Sequence, residues 1–310
     1  MRDAPNVQRR NVLRALTAVG AGALAWPLSG WAQRAPILTR PIPSSGEAMP
    51  VVGLGSWITF NVGNDPVARG ACAEVMRGLF DGGGRMIDSS PMYGSSQEVI
   101  GYGLTKLGHP PPLFSADKVW IASWARGREQ IERSRRYWNV PRLDLVQVHN
   151  LLAWQEHLPT LFEMKAAGQV RYVGITTSEG RRHREIEQIM RSERIDFVQL
   201  TYNVLDREVE DRILPLARDR GIGVIVNRPF REGALIRSVA RHRLPAWATE
   251  VECANWAQFL LKFIVSHPAV TCAIPATTSV AHVRENMGAA YGRLPDEAMR
   301  RRMITHVAGL

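Results

Sequence analysis

The chain has 310 residues, of which 45% are apolar and 22% charged, and this composition suits a globular protein with one substantial core. It excludes an intrinsically disordered or low-complexity chain, which would be poorer in apolar residues. The formal net charge of +10 comes mostly from scattered arginines, without the basic stripe and interleaved aromatic residues of a nucleic-acid surface. We therefore expect no nucleic-acid partner.

The first 33 residues predict an export signal that is not part of the fold. Residues 8–14 read QRRNVLR, which resembles the twin-arginine export motif, and a weakly hydrophobic, Ala/Gly-rich segment follows over residues 15–28. Gly30, Trp31 and Ala32 form a small-x-small cleavage site. Residues 1–32 carry four Arg and one Asp, so cleavage after Ala32 removes three charges from +10 and leaves +7.

A membrane anchor is the alternative for this segment, because residues 15–33 carry no charge and approach the length of about 20 residues that a spanning helix needs. Pro27 and four Gly or Ser residues argue against a stable span. The twin-arginine route, as the resemblance implies, carries proteins that have already folded. We therefore expect a periplasmic protein whose partners include the twin-arginine export machinery.

The cysteine pattern indicates neither a disulfide framework nor a metal site. Cys72, Cys253 and Cys272 are three in number and lack C-x-x-C spacing, so each is interpreted as a small buried apolar residue.

From Ile37 onward, short apolar runs alternate with segments of helical periodicity. Residues 37–49 predict a β-hairpin. Eight strands are predicted after it, over residues 51–56, 86–88, 119–123, 143–148, 172–175, 197–200, 223–226 and 270–274. Helices are predicted over residues 65–81, 95–107, 128–138, 155–167, 179–192, 208–220, 255–266 and 280–291.

This alternation predicts an α/β fold, a (β/α)₈ TIM barrel with an N-terminal β-hairpin, over residues 34–310. A doubly wound sheet is the structural alternative, but the first strand–helix turn lacks G-x-G-x-x-G. In a (β/α)₈ barrel the active site is built at the C-terminal ends of the strands.

Residues 84–103, GRMIDSSPMYGSSQEVIGYG, contain a short strand, a polar turn and a predicted helix start. Asp88 ends the strand, and Tyr93 lies five residues later in the loop above it. Residues 95–98 have the Ser-x-x-Glu form of a capping box. An acid and a phenol at a strand end suggest proton transfer. The alternative is a turn acid beside an ordinary loop phenol.

The spacing of Asp88, Tyr93, Gly94, Ser96 and Glu98 resembles the D-x-x-x-x-Y-G-x-S-x-E signature of the aldo-keto reductases. The resemblance extends over residues 49–290. It implies a barrel that reduces a small carbonyl substrate, an aldehyde or ketone, with NADPH as the cofactor and NADH as a possible one.

The predicted fourth strand ends in a histidine, and this position also matches the family. The resemblance implies that His149 orients the carbonyl group, Tyr93 supplies the proton and Asp88 fixes its setting. It also implies a set of cofactor-binding residues at the ends of the later strands: Thr176, Thr177, Gln199, Asn227, Pro229, Ser279, Arg284 and Asn286.

Several of these cofactor positions depart from the family pattern. Asn227 stands where the family has an aromatic platform for the nicotinamide ring, which leaves Phe230 as a candidate for that contact. Ala276 replaces the usual lysine after proline, and the usual arginine is His282 or, shifted along the helix, Arg284.

In the family the third strand ends in a lysine that pairs with the aspartate. Over residues 119–128, VWIASWARGR, that position holds Trp124, so we predict that the lysine is missing. Lys118 precedes the predicted strand and is expected at the opposite end of the barrel. Arg126 is a candidate replacement cation.

Without the lysine, Asp88 would oppose ionisation of Tyr93, so slow turnover with His149 sharing the acid role is expected. Two rival interpretations follow. One is a barrel that binds a nicotinamide nucleotide or small ligand without turnover. The other is a structural or partner-binding protein of the cell envelope.

Overall fold

Eight parallel strands form a ring at the centre of the molecule. The computed structural model describes residues 36–108, 110 and 113–310, so the predicted signal at residues 1–33 lies outside the described residues. The ring strands are β3 (Leu54–Gly55), β4 (Met86–Asp88), β5 (Phe114–Val119), β6 (Leu143–His149), β7 (Val170–Thr176), β8 (Phe197–Thr201), β9 (Gly223–Asn227) and β10 (Val270–Ala273).

Each ring strand pairs in parallel with the next strand along the chain, from β3 to β10. Single parallel bridges, Val52 to Ala273 and Gly55 to Ala276, join the two ends of the sheet. The predicted (β/α)₈ barrel is therefore confirmed.

The predicted N-terminal hairpin covers one end of this ring. Strands β1 (Thr39–Pro41) and β2 (Ala48–Pro50) pair antiparallel. Ile42 and Met49 pack in the barrel interior with side chains from the N-terminal halves of the ring strands, such as Phe114. The opposite end, where the strands terminate, stays open for a site.

Ten α-helices lie in the described part of the chain: α1 (Pro66–Asp81), α2 (Ser96–Lys106), α3 (Gly127–Trp138), α4 (Trp154–Ala166), α5 (His183–Ser192), α6 (Ile213–Arg220), α7 (Ala234–Val239), α8 (Trp256–Val265), α9 (Val280–Gly288) and α10 (Glu297–Ala308). The sequence did not predict α7 and α10. The helix predicted over 179–192 begins only at His183, and the one over 208–220 is divided into a 3₁₀ turn and α6. None of these helices is long and apolar enough to cross a bilayer.

The bounds predicted for the third ring strand, residues 119–123, were wrong. The strand is β5, which ends where the predicted segment 119–123 begins. Phe114 and Ala116 face the barrel interior, and since successive side chains of a strand point to opposite faces, Lys118 faces inward as well. The apolar run after Val119 misled the prediction, because the real strand is interrupted by polar residues.

The predicted capping box at the start of α2 was also wrong. Ser95 is the N-cap but makes no side-chain capping bond. Its Oγ accepts a hydrogen bond from the Gly63 N–H at 2.8 Å, and Glu98 lies 3.7 Å from Arg69. Ser95 therefore contacts the loop before α1 and Glu98 contacts α1 itself, so the capping box does not form.

Helices α2 and α3 approach each other closely at Gly101, and this contact gives a prediction. A Cβ at Gly101 would lie 1.9 Å from the backbone oxygen of Tyr137. We expect Gly101→Ala to lower the free energy of unfolding by about 1–3 kcal/mol or more, because the backbone must move. Denaturant unfolding would measure this loss.

Gly70 is the matched control, because a Cβ there meets only the flexible end of Lys106, at 3.3 Å. Gly70→Ala should raise the free energy of unfolding by about 0.5–1 kcal/mol, since alanine is the better helix former. Equal effects of the two substitutions would contradict the close approach of α2 and α3.

Candidate active site

The barrel interior changes from apolar to polar towards the C-terminal ends of the strands. Inward-facing side chains near the hairpin are apolar, among them Met86, Leu145 and Phe197. Two residues further along the same strands, the inward positions hold Asp88, Gln147 and Gln199, all buried. The polar residues therefore meet in one layer at the open end of the barrel.

Asp88 is the centre of this layer. Its Oδ1 accepts a hydrogen bond from Lys118 Nζ at 2.5 Å. Its Oδ2 accepts from Gln199 Nε2 at 2.8 Å and from Gln147 Nε2 at 3.3 Å. Three donors from three other strands, β5, β6 and β8, therefore fix the carboxylate and compensate for its burial.

Lys118 is the cation that the sequence analysis judged to be missing, and that prediction was wrong. Its side chain is buried, and besides Asp88 its Nζ donates to the Ser89 backbone oxygen at 2.7 Å. Trp124 lies beyond the strand, in a 3₁₀ turn. Arg126 is exposed and lies 3.5 Å from Glu129, so the structure gives it no role as a replacement cation.

The charge state of Lys118 follows from two opposing effects. Burial alone would lower the pKa of the Lys118 ammonium, but the adjacent Asp88 carboxylate raises it, and the resulting pKa lies above the ordinary value. Lys118 therefore remains an ammonium at neutral pH.

Tyr93 lies beside this ammonium. Lys118 Nζ is 5.1 Å from the centroid of its ring. Burial raises the pKa of the Tyr93 hydroxyl, while Lys118 opposes part of that rise through its charge and a hydrogen bond. The phenol is therefore protonated at neutral pH, and the neighbouring cation would stabilise a phenolate at this position.

His149 completes the group. Its ring meets the Tyr93 ring edge-on, with centroids 5.6 Å apart, and its Nδ1 lies 2.7 Å from Ser90 Oγ. Burial and the nearby Lys118 charge lower the pKa of His149 to about 2. The imidazole is therefore neutral at neutral pH, with one N–H to donate and one ring nitrogen to accept a hydrogen bond. This charge state gives no support to the expectation that His149 shares the acid role.

A cavity of about 1020 Å³ opens above these residues, and Asp88, Tyr93 and His149 line it. Its volume lies at the upper end of the roughly 300–1,000 Å³ typical of ligand pockets. Of the cofactor residues that the sequence predicted, six also line it: Thr176, Thr177, Gln199, Asn227, Pro229 and Asn286.

The remaining two predicted cofactor residues, Ser279 and Arg284, are not among the described residues that line the cavity. Ser279 caps α9 through the His282 N–H, and Arg284 is exposed. His282 and Glu285 line the cavity in their place. Residues three and four apart share a helix face, whereas Arg284 lies about 200° around the helix from His282.

Asn227, which stands where an aromatic platform for the nicotinamide ring was expected, makes two hydrogen bonds through its side chain. Asn227 Oδ1 accepts from Thr201 Oγ1 at 2.8 Å, and its Nδ2 donates to the Thr177 backbone oxygen at 2.8 Å. Phe230 lines the cavity, as the sequence analysis suggested, and so does Trp256. An aromatic surface is therefore present at the edge of the cavity.

Sequence analysis missed Lys118, Ser90 and Gln147. The alternation of Phe114 and Ala116 before Lys118 was the signal that could have placed the lysine inside the barrel. The positions of Gln147 and Ser90, two residues before His149 and two after Asp88, gave no comparable signal, because their contacts join different strands.

The model of the aldo/keto reductase family matches residues 51–303. The chain belongs to this family. The NADH-specific methylglyoxal reductase of Escherichia coli (strain K12) is 25% identical over 245 residues, 67% of this chain and 72% of that protein. This aldo/keto reductase is therefore an oxidoreductase.

Solved structures show the same fold. An aldo-keto reductase from Klebsiella pneumoniae in complex with NADPH superposes with a TM-score of 0.72 at 24% identity, over 87% of this chain and 95% of that chain. The holo form of the aldo-keto reductase AKR11C1 from Bacillus halodurans gives a TM-score of 0.72 at 21% identity, over 88% and 96% of the two chains.

The Lys118–Asp88 pair gives a second prediction. We expect Lys118→Met to lower the free energy of unfolding by about 3–5 kcal/mol, because it leaves a buried carboxylate without its cation. In the double variant with Asp88→Asn the loss should be smaller than the sum of the two single losses. Denaturant unfolding of all four proteins completes the cycle.

An exposed pair provides the control. Arg301 Nη1 and Glu297 Oε1 lie 2.7 Å apart with both side chains largely in solvent. Arg301→Met should cost at most about 1 kcal/mol. A similar small cost for Lys118→Met, or strict additivity in the double variant, would be incompatible with a buried Lys118–Asp88 pair.

Proposed function

We propose that the protein reduces a small aldehyde or ketone with a reduced nicotinamide nucleotide, and that Tyr93 donates the proton. The observation that carries the proposal is the meeting of Asp88, Tyr93, Lys118 and His149 at one end of the barrel, below a large cavity. This grouping combines a proton donor, a cation that eases its ionisation and a hydrogen-bond donor for a carbonyl oxygen.

The cavity residues are chemically suited to a nicotinamide nucleotide. Gln199 donates one of its two N–H groups to Asp88, and its Oε1 accepts a hydrogen bond from Thr176 Oγ1 at 3.2 Å. One N–H and one lone pair of Gln199 remain to bind a carboxamide. Arg181, Arg182 and Arg237 also line the cavity and supply positive charge for phosphates. The family relationship supports NADPH as the cofactor, with NADH as a possible one.

The nicotinamide group supplies the hydride when bound, and the protein supplies the rest. His149 is neutral and donates a hydrogen bond to the carbonyl oxygen, which orients the substrate. Tyr93 transfers its proton to that oxygen as the oxygen becomes negative. Lys118 stabilises the phenolate left on Tyr93, and Asp88 holds the Lys118 ammonium in place.

The proposed proton transfer can be tested at the phenol. Tyr93→Phe removes the proton but keeps the ring, so we expect kcat for carbonyl reduction to fall by about 10²–10⁴-fold. Binding of NADPH should persist, because Tyr93 is not needed to hold it. The measurement is NADPH oxidation with methylglyoxal and with a larger aromatic aldehyde, alongside fluorescence titration with NADPH and NADH.

Tyr102→Phe is the matched control, because Tyr102 lies on α2 next to Arg69 and Lys106, away from the cavity. It should keep the wild-type rate. Turnover by Tyr93→Phe at the wild-type rate would rule out the phenol as the proton donor. Absence of nucleotide-dependent quenching in the wild type would rule out the cofactor.

Of the two rival interpretations, binding without turnover lost its motivation. It rested on the missing lysine, and Lys118 occupies the expected place beside Asp88. The envelope partner-binding interpretation has no observation in its favour.

The entrance to the cavity has exposed apolar side chains, Trp57, Ile58 and Met92. An apolar rim favours carbonyl compounds with an apolar substituent, because such a substituent is removed from water on binding. The aromatic aldehyde should therefore show a lower KM than methylglyoxal.

We further propose that residues 1–33 direct the folded protein through the twin-arginine route to the periplasm. The QRRNVLR sequence supports this proposal. In a host with that export machinery, the double variant Arg9→Lys, Arg10→Lys should stay in the cytoplasmic fraction, while Arg2→Lys should be exported. Cytoplasmic retention of the wild type, or export of the double variant, would contradict the proposal.

A further inference from the structure

The loop between β4 and α2 contains a serine whose hydroxyl contacts the imidazole of His149. Ser90 is fully buried, and its Oγ lies 2.7 Å from His149 Nδ1. The same Oγ accepts a hydrogen bond from the Met92 N–H at 3.2 Å, and the Ser90 backbone oxygen accepts from the Tyr93 N–H at 3.0 Å. Ser90 therefore joins the loop of the phenol to the strand of the imidazole.

The hydrogen atoms at this contact can be assigned by counting. A serine hydroxyl has one hydrogen to donate and two lone pairs. The Met92 N–H uses one lone pair of Ser90 Oγ. Among the described residues, His149 Nδ1 is the one acceptor that lies within hydrogen-bond distance of this hydroxyl.

Only one tautomer of His149 satisfies this arrangement fully. If the imidazole proton is on Nε2, Nδ1 is a free acceptor and takes the Ser90 O–H. If the proton is on Nδ1, Ser90 Oγ receives two N–H donors and its own buried O–H is left unsatisfied. Buried hydroxyls without a partner are unfavourable, so the first arrangement is preferred.

We propose that Ser90 is a positioning residue that holds His149 as the Nε2–H tautomer, so that the ring presents an N–H to the carbonyl oxygen of the substrate. The opposite tautomer would present a lone pair, which repels that oxygen. The inference rests on the proposed carbonyl reduction for its role, but the tautomer itself is a property of the free protein.

The surroundings of His149 agree with this role. The ring lines the cavity, and within the described residues Nε2 has no hydrogen-bond partner. Burial and, second, the charge of Lys118 lower the pKa of His149, so the imidazole is uncharged at neutral pH. A neutral ring with one committed nitrogen has its other nitrogen free for the substrate.

Nitrogen-15 NMR of protein labelled at histidine tests the tautomer directly. The chain has eight histidines, so the His149 signals are assigned by their loss in His149→Gln. We expect the wild-type shifts of a neutral ring protonated on Nε2, and a shift towards a mixture of tautomers in Ser90→Ala. A wild-type ring protonated on Nδ1 would overturn the proposal without any need for a variant.

Kinetics test the role. Ser90→Ala should lower kcat about tenfold to a hundredfold, the size expected when a substrate-orienting group is misplaced, and leave NADPH affinity unchanged. Ser134→Ala is the control, since it also removes a buried hydroxyl. Ser134 Oγ accepts a hydrogen bond from Gln97 Nε2, with 2.8 Å between the two atoms, and Ser134 does not line the cavity. The control variant should keep the wild-type kcat.

Two failures can be told apart. If no carbonyl compound is reduced, but the wild type shows the Nε2–H tautomer of His149 and Ser90→Ala changes it, the proposed function is wrong. The control of the His149 tautomer by Ser90 is then still supported. If Ser90→Ala keeps both the wild-type NMR pattern and the wild-type kcat, Ser90 does not position His149, whatever the activity of the protein.

Discussion

The rest of the site depends on a pair of opposite charges buried inside the barrel, the Lys118 ammonium and the Asp88 carboxylate. Removing two charges from water is costly, and their attraction compensates only when the remaining donors and acceptors are also satisfied. Here the Ser89 backbone oxygen accepts a further hydrogen bond from the Lys118 ammonium, and the side-chain amides of Gln147 and Gln199 donate to the Asp88 carboxylate. The apolar layers below the pair keep it at the open end of the barrel.

This pair contributes to the protonation states around it. Burial and, to a smaller extent, the positive charge of Lys118 keep His149 neutral, so that in the proposed reaction it acts as a hydrogen-bond donor. Tyr93 keeps its proton but has a cation next to the oxygen that would become negative. In the proposed reaction the phenol transfers the proton and the imidazole orients the carbonyl group, and the Lys118 charge favours both roles. In the same site, we propose that Ser90 fixes which nitrogen of the His149 imidazole carries the N–H.

The sequence predicted the architecture because short, mostly apolar runs alternate with segments of helical periodicity, and this alternation can be read even where individual boundaries are wrong. It also predicted Asp88 and His149 at the ends of strands and Tyr93 in the loop after Asp88, and the structure has them there. The sequence did not place Lys118 in the site, because its strand β5 contains three buried polar residues, Ser115, Asp117 and Lys118. A search for apolar runs does not find such a strand.

Two other errors have physical causes of their own: the partners of Ser95 lie far away along the chain, and Arg284 lies on the wrong face of its helix. Ser95 has the sequence of a capping residue, but Gly63 and Asn61 take its hydroxyl. Arg284 belongs to a matching motif, but the helical period turns it away from the cavity. Local patterns establish which residues occur at strand and helix ends, whereas contacts between distant segments decide which of them form the site.

A crystal structure of the protein with bound NADP⁺ would test whether the buried Lys118–Asp88 pair is the centre of the nucleotide site. We expect Lys118 inside the barrel, with its ammonium between the Asp88 carboxylate and the Tyr93 hydroxyl, and the nicotinamide ring in the cavity next to His149. A Lys118 side chain outside the barrel, or a nucleotide bound away from Tyr93 and His149, would be incompatible with such a site.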